Sequence, residues 1–370
     1  MKQPTVAIAH DYLTQRGGAE RVVLAMHRAF PDATIYTTLY NPESTYPEFQ
    51  DANIVTSPLN KLGVFRRNHR LALPFLAFAS QALRVREDVA VISSSGWAHG
   101  FTFDGNKMVY CHSPARWLYF SQQYLGSALW RKPAGWPLWM MRPILRLWDQ
   151  RAAANSVVYV ANSTHVKKRV KEVYGREVDV LHPPYGVDTN GPREPIPGLE
   201  DFVGVGGHFL LVSRLLPYKN VNQAIEAFRG LNQRLVIVGA GPLRDELVES
   251  APINVKIVSH LTDAQMRWIY STCEAVVAPS FEDFGLTPVE AAAYGKPTIA
   301  LRAGGYLDTV VEGATGLFID APSPDSIRES LAAFPKYEWD GPKIQEHAEQ
   351  FSAQVFIERL QEIVRGMSEE

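Results

Sequence analysis

The sequence predicts an α/β protein of two halves, each a parallel sheet covered on both faces by helices. Three observations carry this reading. Short apolar runs bounded by polar residues or by Gly and Pro alternate with longer stretches of helical spacing. A Pro- and Gly-rich stretch from Pro183 to Gly207 interrupts that alternation, and the alternation then restarts. Finally, 370 residues that are 46% hydrophobic and 21% charged suffice for two cores and exclude collagen-like, coiled-coil and wholly disordered classes.

In chain order, Val6–Ala9 reads as a buried strand that His10 and Asp11 end, too short for the core of a signal peptide. Glu20–Phe30 has helical spacing, and Val89–Ser93, Lys107–Cys111 and Val157–Val160 follow as strands. After the interruption come the strand Phe209–Val212, the helix Val221–Phe228, the strand Arg234–Val238 and the helix Leu243–Ser250. Asn254–Val258, Ala264–Tyr270, Ala275–Ala278, Pro288–Tyr294 and Pro297–Ala300 continue it as strand, helix, strand, helix, strand. Ser352–Val364 is a last amphipathic helix. The expected division is a first Rossmann-like domain over 1–185, a linker over 186–207 and a second over 208–350. A cleft between them would take ligands at the carboxyl ends of the strands.

Cys111 and Cys273 cannot form a disulfide framework, and no zinc-ligand spacing occurs, so a reduced, cytoplasmic compartment is expected. The longest apolar run, Leu71–Ala79, is half a membrane span, so no crossing is expected. The net charge of −2 hides two unlike halves: 22 Lys/Arg against 13 Asp/Glu over 1–185, and 15 against 26 over 186–370. No acidic residue lies between Asp51 and Glu87 or between Asp104 and Asp149, and each gap holds six Lys/Arg. The second gap also holds Trp117, Trp130, Trp136, Trp139 and Trp148. Basic residues interleaved with Trp and Leu suit an anionic lipid headgroup layer. The alternative is a solvated basic face over an aromatic core. Nothing resembles a stacking or helix-turn-helix signature, so no nucleic-acid partner is expected.

The chemistry-bearing residues follow the strands. Gly17-Gly18-Ala19-Glu20 opens the first helix, where glycines admit a phosphate or sugar and free N–H groups favour negative charge. Alone, it is also a plain helix-starting turn. Arg214 and Lys219 sit just past a second-half strand and are placed to hold a diphosphate and the charge that builds on it as it departs. In Glu282-Asp-Phe-Gly-Leu-Thr-Pro-Val-Glu290, a loop glutamate precedes a second one in the first turn of a helix, with Pro288 first and Thr287 as cap. Such a carboxylate suits a sugar or ribose diol, although Thr287-x-x-Glu290 is equally a capping box. The amides of Phe284, Gly285 and Leu286 could donate to phosphate or sugar oxygens. His112 and Asp188 are further candidates, each with a plain structural alternative. The dinucleotide glycine fingerprint is absent, because Arg244 stands at its third position in Gly239-Ala-Gly241-Pro-Leu-Arg244. No Walker lysine loop occurs. No Asp-x-Asp occurs either, so a bound diphosphate would rely on Arg, Lys and helix N-termini rather than a bridging metal.

These segments, with His10-Asp-Tyr-Leu, Tyr110-Cys-His-Ser-Pro-Ala-Arg116, Ala161-Asn-Ser-Thr164 and Gly304-Gly-Tyr-Leu-Asp308, resemble retaining glycosyltransferases of the GT-B, family 4 type from end to end. The wording is most similar to mannosyltransferases that use GDP-mannose to build bacterial surface polysaccharides. The resemblance implies two Rossmann-like domains facing across a cleft, with the last helix crossing back to the first. It implies that Arg214 and Lys219 bind the diphosphate, Glu290 the ribose and Glu282 the donor sugar. Phe284, Gly285 and Leu286 would supply amides, Gly17 and Gly18 would border diphosphate and acceptor, and His112 would touch the sugar. It implies no cofactor and no metal, retention of anomeric configuration, and a glycan or lipid-linked acceptor. The basic, Trp-rich surface is expected to dock on the inner leaflet of the plasma membrane, where a lipid-linked acceptor would be met. Asn220 stands where many relatives carry a second basic residue, and Ser259-His260 where Gly is common. A UDP-sugar donor, a nucleotide-sugar epimerase of the same architecture and a non-catalytic binding partner remain the alternatives.

Overall fold

The computed structural model describes residues 4–120, 136–204 and 207–369, so Trp130 lies outside the described residues. The chain divides into two compact units: Met1–Pro184 with Ala353–Glu370 (unit 1), and Tyr185–Ser352 (unit 2).

Unit 1 holds β1 (Val6–His10), β2 (Thr34–Thr37), β3 (Ile54–Thr56), β4 (Arg84–Val85), β5 (Val89–Ser94), β6 (Thr102–Phe103), β7 (Asn106–Cys111), β8 (Val158–Ala161) and β9 (Asp179–Val180). Seven of them form a parallel sheet in the order β3-β2-β1-β5-β7-β8-β9, while β4 and β6 pair separately. Every residue of β5 is buried, which explains the apolar run Val89–Ile92 within it. The two-residue period sorts the side chains between two cores. Ile8, Val91, Met108 and Tyr110 face Val22, Val23 and Met26 of the helix Gly18–Ala29. Ala7, Ala9, Ile92 and Val109 face Val166 and Val170 of the helix Thr164–Tyr174 on the other side. The helix Ala353–Glu369 joins the first of these cores through Phe356, Leu360, Val364 and Met367, spaced four, four and three residues apart. Gln361 donates to the Ala29 carbonyl at 2.9 Å, closing the neighbouring helix's C-terminus.

Unit 2 holds β10 (His208–Val212), β11 (Arg234–Val238), β12 (Val255–Val258), β13 (Ala275–Ala278), β14 (Thr298–Leu301) and β15 (Gly316–Ile319), all parallel, in the order β12-β11-β10-β13-β14-β15. The stretch 186–207, expected as a linker, is part of this unit. Ile196, Leu199 and Val203 are buried against Leu210, Val236 and Tyr270, so its Pro and Gly shape a packed irregular segment rather than a tether.

Both orders start from a central strand, wind outward one way, return and wind the other way. The loops after β1 and β5 therefore diverge, as do those after β10 and β13. In unit 1 Asp11 bridges its pair. Its buried carboxylate accepts from the amides of Ser95, Trp97 and Ala98 at 2.6, 3.0 and 2.6 Å, and its carbonyl accepts from Thr38. Asp11→Ala strands three amides, two of them buried, and should lower unfolding free energy by roughly 2–4 kcal/mol in denaturant titration. A loss under about 0.5 kcal/mol would mean that water replaces the carboxylate.

Candidate functional site

In unit 2 the predicted residues converge beside the β10/β13 divergence. Arg214, two residues past β10, is exposed and donates to the Tyr218 hydroxyl at 3.3 Å. Lys219 ends the short 3-10 turn Pro217–Lys219, and its ammonium pairs with Glu282 Oε1. The pair is largely sheltered, the side chains being 11% and 21% exposed. Ser280 also donates to Glu282 Oε1, at 2.7 Å, and is 3.3 Å from the Tyr306 hydroxyl. Burial, and then the Glu282 charge, push the Tyr306 hydroxyl well above its usual range, so it stays protonated. Glu282 Oε2 has no hydrogen-bond partner among the described residues. One carboxylate oxygen is thus anchored by two donors while the other is available to a ligand hydroxyl.

Backbone geometry sets this loop. Asn220 adopts φ 56° and donates to the Pro279 carbonyl at 3.0 Å, tying the loop after β10 to the one after β13. Where relatives were expected to carry a second cation, this chain therefore has a left-handed corner. Gly304 has φ 64°, and a Cβ there would lie 2.2 Å from the Glu282 carbonyl oxygen. The Gly305 amide donates to that same carbonyl at 2.9 Å.

The structure corrects the reading of the helix after Glu282. It runs Leu286–Ala293 with Gly285 at the cap, φ 88°, and no side-chain cap, so Thr287 is not the cap and Pro288 not the first position. Glu290 lies beyond the first turn and forms no capping box; its Oε2 accepts from the Tyr270 hydroxyl at 3.1 Å. The reason is steric: Gly285 sits against Tyr306, where only a residue without Cβ fits, and it turns the chain two residues early. Leu286 and Thr287 open the helix, where N–H groups lack helical acceptors. The Phe284 ring packs with Val289 and Phe351, a core role. Asp188 caps its own turn, accepting from the Asn190 amide at 3.0 Å, and its other oxygen lies 3.7 Å from Arg267.

In unit 1, Gly17 caps the helix Gly18–Ala29 in an extended conformation. A Cβ at Gly17 would lie 2.4 Å from Glu20 Oε2, so the first glycine has an internal reason to be there. Glu20 is buried, accepts from Gln15 at 3.0 Å and lies 4.0 Å from His10 Nε2. His10 Nδ1 is 3.0 Å from Ser93 Oγ and 3.2 Å from the Ser93 carbonyl, and Ser93 Oγ is 2.7 Å from His112 Nε2. Burial alone would lower the His10 pKa, but Glu20, Asp11 and the Ser93 carbonyl outweigh it and the net shift is upward. His112 is pushed down to about 3 by burial, then by His10 and Arg116. Ser93 and Ser280 were not singled out in the sequence, and His10 and Glu20 entered it only as parts of quoted motifs, with no chemical role of their own. His10 and Ser93 meet only because the register sets them opposite each other. Among the described residues no group of three or more His, Cys, Asp or Glu is arranged for a metal.

The His112 shift has a sign. The unfolded chain takes up a proton as pH falls below about 6.5, whereas native His112 does so only near 3. That difference costs stability progressively between those values, by at most about 1.4 kcal/mol per pH unit. His112→Gln should flatten the fall in unfolding free energy measured from pH 6 to 4; an unchanged slope would show that His112 titrates normally.

Comparison with known proteins now places this geometry. The chain superposes over 98% of its length on Anabaena Alr3699/HepE, solved in complex with UDP, with TM-score 0.70 and 16% identity, covering 100% of that chain. It matches sucrose-phosphate synthase from Thermosynechococcus elongatus with TM-score 0.71 and 15% identity, covering 98% of this chain and 99% of that one. In sequence it is 31% identical to D-rhamnosyltransferase WbpZ of Pseudomonas aeruginosa, over 43% of this chain and 44% of that one. It is 27% identical to the GDP-mannose-dependent alpha-(1-6)-phosphatidylinositol monomannoside mannosyltransferase of Mycolicibacterium smegmatis, over 52% and 56%. It is 24% identical to the alpha-1,3/1,6-mannosyltransferase ALG2 of Dictyostelium discoideum, over 85% and 86%. The chain thus spans about half the length of the first two of these relatives. Residues 16–190 match the family model for Glycosyltransferase Family 4 and residues 206–354 that for Glycosyl transferases group 1, and with one match in each unit the chain belongs to the family 4 glycosyltransferases of the GT-B fold.

Proposed function

We propose that the protein is a metal-independent, retaining glycosyltransferase that moves mannose from GDP-mannose onto a hydroxyl of a glycan or lipid-linked acceptor. The observation that carries this is the Lys219–Glu282–Ser280 cluster with Arg214 beside it. Two cations suit a diphosphate without a divalent ion, and they hold the charge that grows on it as the glycosidic bond breaks. Lys219 meets an incoming anion as a member of a sheltered pair, so it is already positioned. Glu282 Oε2 would accept from a sugar hydroxyl, and Glu290, oriented by Tyr270, from a ribose hydroxyl. On this reading the departing phosphate assists deprotonation of the acceptor on the same face of the sugar. The relative named as GDP-mannose-dependent supports GDP-mannose as the donor, and the mannosyltransferase ALG2 supports mannose as the sugar. UDP in Alr3699/HepE keeps a UDP-sugar as the second reading.

Calorimetric titration with GDP, UDP, ADP and their sugar conjugates should show selectivity for GDP and GDP-mannose. A preference for UDP would discard mannose, and binding of none would overturn the reading. Lys219→Ala and Glu282→Ala should each remove most turnover, on the order of 100-fold, with the fold intact by circular dichroism. Product formed from donor without acceptor would indicate an epimerase instead.

The acceptor reading extends to a lipid surface. The expected basic, Trp-rich face divides: Trp117 and Trp148 pack with Trp97 in a core, while Trp136 and Trp139 are exposed. On the helix Trp136–Ala154 they share a face with exposed Met140, Ile144 and Leu147. Ile144 and Leu147 line a groove of about 440 Å³ together with Phe78, and exposed Leu71 and Phe75 precede it in the chain. Exposed Lys61, Arg66, Arg67 and Arg151 occur in the same segments, which have no exposed acid. We infer that this face docks on an anionic bilayer, each cation near the surface contributing about 1 kcal/mol. The protein should co-sediment with phosphatidylglycerol vesicles at low salt and be released at high salt; no binding at low salt would refute it. Among the described residues no helix is long and apolar enough to cross a membrane.

A further inference from the structure

We propose that Ser93 and His10 are positioning residues that hold His112 in the neutral tautomer protonated on Nδ1, so that it meets a ligand as a hydrogen-bond donor. The proposal rests on the reading of His112 as a group that touches the donor sugar, and deepens it by assigning the direction of that contact.

The assignment follows from one backbone group. His10 Nδ1 lies 3.2 Å from the Ser93 carbonyl oxygen, which can only accept, so Nδ1 carries a proton. The same N–H reaches Ser93 Oγ at 3.0 Å, making that hydroxyl an acceptor from His10. Its own proton is then available for its other neighbour, His112 Nε2 at 2.7 Å. Were Nε2 protonated instead, the buried hydroxyl would have no acceptor for its own proton among the described residues, so Nε2 accepts it and is bare; in a neutral ring the proton is on Nδ1. The register enforces the alignment, since His10 and Ser93 are directly paired between β1 and β5, and the His112 amide donates to the Ser94 carbonyl at 2.9 Å. Ser93 is fully buried and His10 nearly so, out of contact with bulk water.

Charge favours the same state. His10 faces Glu20 and Asp11, which support a proton on its ring, whereas His112 faces His10 and Arg116, two groups that oppose a second cation. Among the described residues His112 Nδ1 has no hydrogen-bond partner, so its N–H remains for a ligand oxygen. A bare Nδ1 could have served as a proton acceptor, and this arrangement withholds that role. His112 would therefore bind a hydroxyl or phosphate oxygen and would not take the acceptor's proton through Nδ1, in keeping with a reaction in which the leaving phosphate does so.

The test is nitrogen NMR on the full chain with 15N-labelled histidine, where protonated and bare ring nitrogens resonate far apart. His112 should show a protonated Nδ1 and a bare Nε2 at neutral pH in wild type. Ser93→Ala should turn this into a mixture of tautomers and lower kcat/KM for the donor about tenfold, the worth of one oriented hydrogen bond. Ser93→Thr, which keeps the hydroxyl, should restore both readouts. Ser93→Ala should cost nothing further in a His112→Ala background, a non-additivity that a general packing defect would not show. A protonated Nε2 in wild type, or an unchanged tautomer in Ser93→Ala, would overturn the proposal. A protein inert toward every nucleotide sugar that still showed the Nδ1 signature would overturn the transferase reading and leave the tautomer assignment standing.

Discussion

A parallel strand can rejoin its sheet only through a crossover that covers one face, and a sheet covered on both faces must reverse its winding once. That reversal is the constraint on which both units depend. It occurs beside β1 in unit 1 and beside β10 in unit 2, the first strand of each sheet. Loops leaving the two strands flanking the reversal go to opposite faces, so the backbone there has no neighbour to complete its hydrogen bonds. Polar side chains must do so. Asp11 fills this need in unit 1, and Asn220 does in unit 2.

The two reversals use different chemistry for the same gap. In unit 1 the polar groups are inside: His10, Asp11, Glu20 and Ser93 are all buried. A buried set of this kind is stiff, since moving any member strands another. In unit 2 Arg214 is exposed while the Lys219–Glu282 pair is largely sheltered. Opening such a pair strands a charge unless an incoming anion takes the ammonium, so partner exchange is reserved for a ligand. The fold thus supplies one fully buried polar set and one cationic set that a ligand can reach.

How much of this was legible in the sequence depends on whether the signal was local. Strands β5 and β11 contain the apolar runs Val89–Ile92 and Leu235–Val238, and the burial of these on both faces makes them readable. β2 and β3 at one side of the sheet and β9 at the other are short and half-polar, and β15 opens on Gly316, so none announced itself. At the site, Arg214, Lys219 and Glu282 were visible because they follow strands directly. Ser280 was not, since a serine two residues before a glutamate has no meaning until the loop folds back on Lys219. His10 was set down as the residue that ends a strand; only pairing with Ser93, 83 residues away, gives it a second role. Thr287-x-x-Glu290 misled because it satisfies a local rule that Gly285 and Tyr306 override through packing.

Unit 1 is discontinuous in the chain: its core contains Phe356, Leu360, Val364 and Met367, while unit 2 occupies everything between Tyr185 and Ser352. During synthesis this imposes an order. The sheet of unit 1 emerges first, yet the apolar face around Ile8 and Met26 stays open for as long as it takes to translate the whole of unit 2. Unit 2, being contiguous, needs nothing from the helix Ala353–Glu369 to close its own core. A segment made after unit 2 therefore completes the unit begun before it, and unit 1 carries an exposed hydrophobic seam until that helix has been translated.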